Sequence, residues 1–208
     1  MEKITAGIVL KQEDRGESDK LITLLTPDGI ITAVVKGVKK SKAKLKFAAL
    51  PFAFAEYSLS GKGSIFTVTG CTQIEDLSKI TQNIYDYYVA SFMSEVAIKS
   101  NASGEFFVEF LKTLKCLLYQ NIKPIALAIH FCQYVIHNSG YGYDYHTKPS
   151  IVAHPIDLLY FTSTLDKAKE YEFNDDELNK KTFIAISKNF EEKFDSSLLS
   201  KELLINLV

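Results

Sequence analysis

The chain has 208 residues, 47% of them hydrophobic and 24% charged, with a formal net charge of −1. That length suits two small domains or one large one, and the apolar content is enough for a real core. No stretch reaches the ~20 apolar residues of a membrane span and MEKITAGIVL opens as a strand, not a signal peptide, so a cytoplasmic protein without membrane contact is expected.

Near-neutrality hides an asymmetry. Residues 1–50 carry ten basic groups against six acidic ones, which leaves fourteen against nineteen for the rest of the chain. Arg15 is the only arginine. Cationic contacts therefore fall to lysine, a flexible point charge without arginine's bidentate fork, and base-specific readout of guanine is not expected. Cys71, Cys116 and Cys132 are an odd number, far apart and without a C-x-x-C pair, so neither a disulfide framework nor a zinc ribbon is read from them.

Residues 4–11 alternate, with Ile4, Ala6, Ile8 and Leu10 on one side, as a strand lining a small barrel would. The runs LITLLT and GIITAVV follow, separated by Pro27, Asp28 and Gly29. Proline presets φ and glycine admits positive φ, so the two runs read as a β-hairpin with strands over 20–26 and 30–36. Lys36, Lys39, Lys40, Lys42, Lys44 and Lys46 come next, six within eleven residues with no acidic residue between them. Gly37, Ser41 and Ala43 keep the spaces between them small, which suits the approach of a polyanion backbone. A lysine run is also what a solvated loop that keeps a strand edge soluble looks like.

A fourth strand is expected from Pro51 to about Leu59 and a fifth from Ser64 to Cys71, with Gly61 and Gly63 turning the chain between them. Five short strands with a long basic connection between the third and fourth predict an OB-type barrel. In such barrels aromatic rings can stack on bases, and Phe47, Phe52, Phe54, Tyr57 and Phe66 are the rings at hand. Barrel interiors also need large apolar side chains, so no single ring is assigned as a site.

From about Thr81 the apolar period changes from 2 to 3.6. Tyr85, Tyr88, Val89, Phe92, Met93 and Val96 share one face of a first helix, and Phe107, Phe110, Leu111, Leu114, Leu117 and Leu118 one face of a second. Pro124 sits as a first-turn proline before IALAIHFCQYVIHNSG, which is apolar nearly all round, ends at Gly140, and reads as the centre of a helical bundle. His130 and His137 lie seven apart on it, a spacing conceivable for a ligand pair but more usual for packed, hydrogen-bonded histidines. IDLLYFTSTL reads equally as helix or strand. Asn174 with Glu177 resembles a capping box that opens a helix toward Phe194, and SKELLINLV gives a last turn or two.

The stretch GIVLK (Gly7 to Lys11), the turn GESDK (Gly16 to Lys20), the hairpin LITLLTPDGIITAVVKG, the basic run after Gly37, and Pro51 and Phe52 with FAEYSL agree in order and spacing with one known domain. Over about the first 75 residues the chain resembles the N-terminal domain of the RecO family of bacterial recombination mediators. The later chain is similar more loosely, through helix lengths and the segment GYGYDY. The resemblance implies an α+β chain: a DNA-binding OB-fold domain over 1–78, then an α-helical bundle domain over 79–208. Many relatives carry a four-cysteine zinc insertion where this chain, around 141–160, has only His146 and His154; two histidines without further ligands do not make a closed structural site, and no metal is expected.

The resemblance also implies function: a protein of recombinational repair, associated with the nucleoid, that binds single- and double-stranded DNA and promotes strand annealing. Its implied protein partners are RecR, single-stranded DNA-binding protein and, indirectly, RecA. The residues expected to hold DNA are Arg15, Lys20, Lys36, Lys39, Lys40, Lys42, Lys44 and Lys46. No phosphate loop of the G-x-x-x-x-G-K-S/T type, G-x-S-x-G or H-E-x-x-H motif occurs, so neither catalytic residues nor a cofactor is expected. The alternative is an interaction scaffold whose barrel docks a protein partner, with the lysines serving steering or solubility.

Overall fold

The computed structural model describes residues 2–61, 63–102, 104–142 and 147–207. The chain forms two compact units, Met1–Gln82 with Asn101–Val108, and Asn83–Ser100 with Glu109–Val208. The first is a closed barrel of β1 (Glu2–Arg15), β2 (Asp19–Thr26), β3 (Gly29–Val35), β4 (Phe54–Ser60) and β5 (Ile65–Glu75). Around the barrel the order is β1-β2-β3-β5-β4. All neighbours are antiparallel except β3 and β5, which pair in parallel over Thr32–Val34 and Ile65–Thr67. The fold class is the expected OB-type barrel followed by helices. The hairpin falls where its turn chemistry puts it: Thr26 pairs with Gly29, whose φ is +109°.

The lining face of β1 is not the expected one. Val9 belongs to the interior cluster, with Ile22, Leu24, Ala33, Val35, Ala55, Tyr57, Leu59 and Val68. Gly7 also faces inward, since a Cβ there would lie 3.2 Å from the Tyr57 ring. Ile8 therefore points out, and Ile4 is 68% exposed. The physical reason is that the outer side of β1 is itself covered at Ile8, where β1 passes from pairing β4 (Glu2–Ile8) to pairing β2 (Ile8–Arg15); the bulge between Val9 and Lys11 comes only after these residues. Ile8 is fully buried, and so are its register partners Leu25 and Phe54. Phe107, from the 101–108 segment of the same unit, places its ring 6.2 Å from that of Phe54. Both sides of the strand are thus apolar here, and simple alternation loses its meaning.

In the second unit, α1 (Ile84–Lys99), α4 (Pro155–Thr162), α5 (Leu165–Glu170) and α6 (Asp176–Phe194) pack against α3 (Pro124–Ile136), which is buried along nearly its whole length. This is the expected centre of the bundle, with Pro124 in its first turn. The remaining helices are α2 (Glu105–Tyr119), whose first turn belongs to the barrel unit, and α7 (Lys201–Ile205). Past α3 the chain makes one π turn over His137–Tyr141 and leaves the helix at Gly140, φ +85°.

The ambiguous stretch after Pro155 is helical, as α4 and α5. The cap of α6 is Asp175, not Asn174: the Asp175 carboxylate accepts the Leu178 amide at 2.9 Å, while the Asn174 side chain turns back to Glu172 at 3.0 Å. His130 is buried, its Nδ1–H donating to the Thr162 carbonyl at 2.8 Å and its Nε2 2.9 Å from Glu109. His137 is exposed, since it stands past the last residue of α3, where the π turn begins. The second half of GYGYDY, residues 143–145, and His146 lie outside the described residues.

Candidate nucleic-acid interface

The lysine run is not a loose loop. After β3 the chain turns at Gly37, φ +64°, and proceeds through short turns closed by Lys40 N–H to Gly37 O (3.2 Å) and Ala43 N–H to Lys40 O (3.1 Å). It ends in a 3₁₀ turn over Phe47–Ala49. Apolar residues are threaded among the lysines. Val38, Ala48 and Ala49 are buried in the barrel's interior cluster, and Leu45 and Phe47 pack against it. The Tyr57 hydroxyl, itself buried, donates to the Ala48 carbonyl at 3.2 Å and ties the turn to β4. With these side chains held inward, Lys36, Lys39, Lys40, Lys42, Lys44 and Lys46 are all exposed. An exposed ammonium on a pinned backbone keeps the reach of its stem but loses the freedom of the chain beneath it.

Arg15 and Lys20 stand on the two arms of the β1–β2 turn. Arg15 is exposed and pairs across the turn with Asp19, and Lys20 lies opposite Asp14 on one side and Val35 on the other. The Lys20 ammonium donates to the Gln12 side-chain oxygen. This turn docks on the start of the lysine run: the Lys39 amide donates to Ser18 O at 3.0 Å, and the Gly37 amide to the Asp19 carboxylate at 2.7 Å. Arg15, Lys20, Lys36 and Lys39 are thereby gathered at one end of the barrel, while Lys40, Lys42, Lys44 and Lys46 continue along the run toward the 3₁₀ turn.

The same docking brings carboxylates to lysines that have none within their own stretch of sequence. Lys39 Nζ lies 2.8 Å from Asp14 Oδ2. Among the described residues Lys36, Lys40, Lys42, Lys44 and Lys46 make no ion pair. The hydrogen bond and then the charge of Lys39 hold the Asp14 carboxyl below its ordinary value. For Asp19 the Gly37 amide lowers it first, then the Ser18 hydroxyl, with Lys36 and Arg15 adding charge. Asp14 and Asp19 escape a reading of the lysine run alone. Asp19 lies in the GESDK turn and Asp14 two residues before it, on β1.

The five rings considered as stacking platforms belong to the core. Phe52, Phe54 and Tyr57 are buried, and Phe47 and Phe66 are half-buried against the interior cluster. What the surface offers is charge. His154 is exposed at the start of α4, and among the described residues no group of three or more His, Cys, Asp or Glu side chains is arranged to hold a metal ion. Nor is any described helix long and apolar enough to cross a membrane.

Residues 1–77 match the family described as Recombination protein O N terminal. The chain is 28% identical over 146 residues to the DNA repair protein RecO of Clostridium novyi (strain NT), covering 68% of this chain and 57% of that protein. It is 30% identical over 143 residues to that of Dehalococcoides mccartyi, covering 66% and 56%. With the protein of the same name from Clostridium perfringens, identity is 29% over 200 residues, or 88% of this chain and 77% of the relative. The chain thus spans less than two thirds of the length of the first two relatives. The family's N-terminal domain falls on the residues that close the five-stranded barrel, and the chain belongs to the RecO family.

Proposed function

We propose that the protein binds single- and double-stranded DNA through Arg15, Lys20, Lys36, Lys39, Lys40, Lys42, Lys44 and Lys46, and acts in recombinational DNA repair. The observation that carries the reading is the display of six exposed lysines from a segment whose interleaved apolar residues are locked into the barrel. Its support from relatives is that they are named DNA repair proteins. The action is binding, not bond-breaking: lysine ammonium groups lower the repulsion between two phosphate backbones and so favour annealing of complementary strands. As a member of this family it would work in the cytoplasm, at the nucleoid, with RecR, single-stranded DNA-binding protein and, through them, RecA.

Electrostatic binding of this kind releases counterions, so four engaged lysines give log K against log salt a slope of about −3 to −4. In anisotropy titrations of a labelled mixed-sequence single strand across a salt series, Lys39/Lys40/Lys42→Ala is expected to weaken binding to every sequence alike and to flatten the slope by about 1.5, roughly 0.7 from each of Lys40 and Lys42. Unchanged affinity in the triple variant would remove this segment from the interface. No binding by the wild type even at low salt would favour the scaffold reading, with a protein seated on the barrel in place of DNA.

A further inference from the structure

Resting on that DNA-binding reading, the geometry points to Asp14 as an internal competitor for the phosphate position at Lys39, a residue that sets how tightly and how salt-dependently the surface takes a nucleic-acid backbone. Asp14 Oδ2 sits 2.8 Å from Lys39 Nζ, where a phosphate oxygen would otherwise bind. The contact links positions 25 apart in sequence and is made by an exposed carboxylate, so it adds little to stability; it does occupy a cation of the proposed interface. Lys39 is the member of the run held in this way. Its own amide is tied to Ser18, which keeps its stem beside the turn that carries Asp14.

The neighbouring carboxylate behaves differently. Asp19 accepts the Gly37 amide at 2.7 Å and the Ser18 hydroxyl at 3.0 Å, and so is taken up with backbone and turn. It positions the run. Asp14 neutralises part of it. When a phosphate reaches Lys39 it displaces the Asp14 carboxylate, which takes up a cation in place of the one the phosphate gives up, so that contact adds little to the net ions released on binding. The consequence is a surface tuned below its formal charge, on which Lys40, Lys42, Lys44 and Lys46 meet the backbone first.

The test is the same salt-series titration on wild type, Asp14→Asn, Asp14→Asn/Lys39→Ala, and Glu13→Gln as a control. Glu13 is exposed on the same strand, paired with Lys11 at 3.1 Å, and so removes an equal charge without touching Lys39. Asp14→Asn is expected to tighten binding about two- to fivefold, the reach of one surface ion pair, and to steepen the slope by about 0.7. The second substitution should cancel both gains, and Glu13→Gln should keep the wild-type slope. A melting curve on each variant shows that it is folded.

If wild type binds and Asp14→Asn binds no better, the competitor role is wrong while the DNA reading stands. An equal gain from Glu13→Gln would reduce the effect to net charge and overturn the assignment to Asp14. If neither wild type nor Asp14→Asn binds at low salt, the DNA reading fails and this inference fails with it.

Discussion

At the scale of single residues, several carboxylates are held in the ionised form by partners that only the folded chain supplies. Asp14, Asp19, Asp176 and Glu191 all have lowered pKa values. So does Glu109, where burial opposes ionisation but the hydrogen bond and charge of His130, with Lys112 beside it, outweigh burial. A depressed folded pKa means stability that is present above the unfolded value and lost as pH falls through the folded one. The melting temperature is therefore expected to drop as pH is taken below about 4, near the ordinary carboxylate values. Glu109→Gln is expected to cost about 1.5–3 kcal/mol at neutral pH, the worth of a hydrogen bond to a charged group in a largely buried site, and to melt with less acid sensitivity than wild type. Thermal melts from pH 3 to 6 measure both effects. Equal acid sensitivity in the two proteins would sink the role given to Glu109.

At the scale of elements, caps and close approaches decide where segments stop and dock. Asp175 caps α6 through the Leu178 amide, so Asp175→Ala is expected to lower stability by about 1 kcal/mol in urea unfolding, while Asn174→Ala should change little. Gly104 is required by proximity: a Cβ there would lie 1.4 Å from the Pro27 carbonyl oxygen in the β2–β3 turn of the same unit. Gly104→Ala must displace one backbone or the other, with an expected loss of about 2 kcal/mol or more. An alanine variant that unfolds at the wild-type urea concentration would show that the 101–108 segment does not rest on that turn.

At the scale of the whole molecule, the excess of basic over acidic groups falls within residues 1–50, where the barrel's lysine run and first turn lie, while the chain overall stays near neutral. Lysine contacts to phosphate carry no base information, and the rings that might have read bases are packed inside. Single strands of unrelated sequence but equal length are therefore expected to bind within about threefold of one another, as competition titrations at one salt concentration would show. A strong preference for one base would require a stacking or hydrogen-bonding surface elsewhere in the chain.

Much of this protein was legible in the sequence by itself. Strand alternation, the Pro27–Asp28–Gly29 turn and the change of period near Thr81 are local properties of the chain, and they determine the barrel, its hairpin and the helices that follow. The all-round apolar character of residues 125–136 likewise marks α3 as central, because a helix without a polar face has nowhere to go but inside. The exposed lysines follow from their own chemistry. What the tertiary structure decided was anything that depends on a partner distant along the chain. Val9, and not Ile8, lines the barrel, and the sequence hides this because the outer side of β1 is buried too, at Ile8 against Leu25 and Phe54. His137 is exposed where His130 is buried because it stands past the end of α3, at the start of the π turn. Val38, Leu45 and Phe47 turn an apparent loop into a seated segment because the barrel needs its end filled. The Asp14–Lys39 pair exists because β2 pairs with β1 and β3 at once, setting Asp14 and Val35 on either side of Lys20 and the β1–β2 turn beside the end of β3, and a charge pattern read along the chain holds no record of which charges folding will bring face to face.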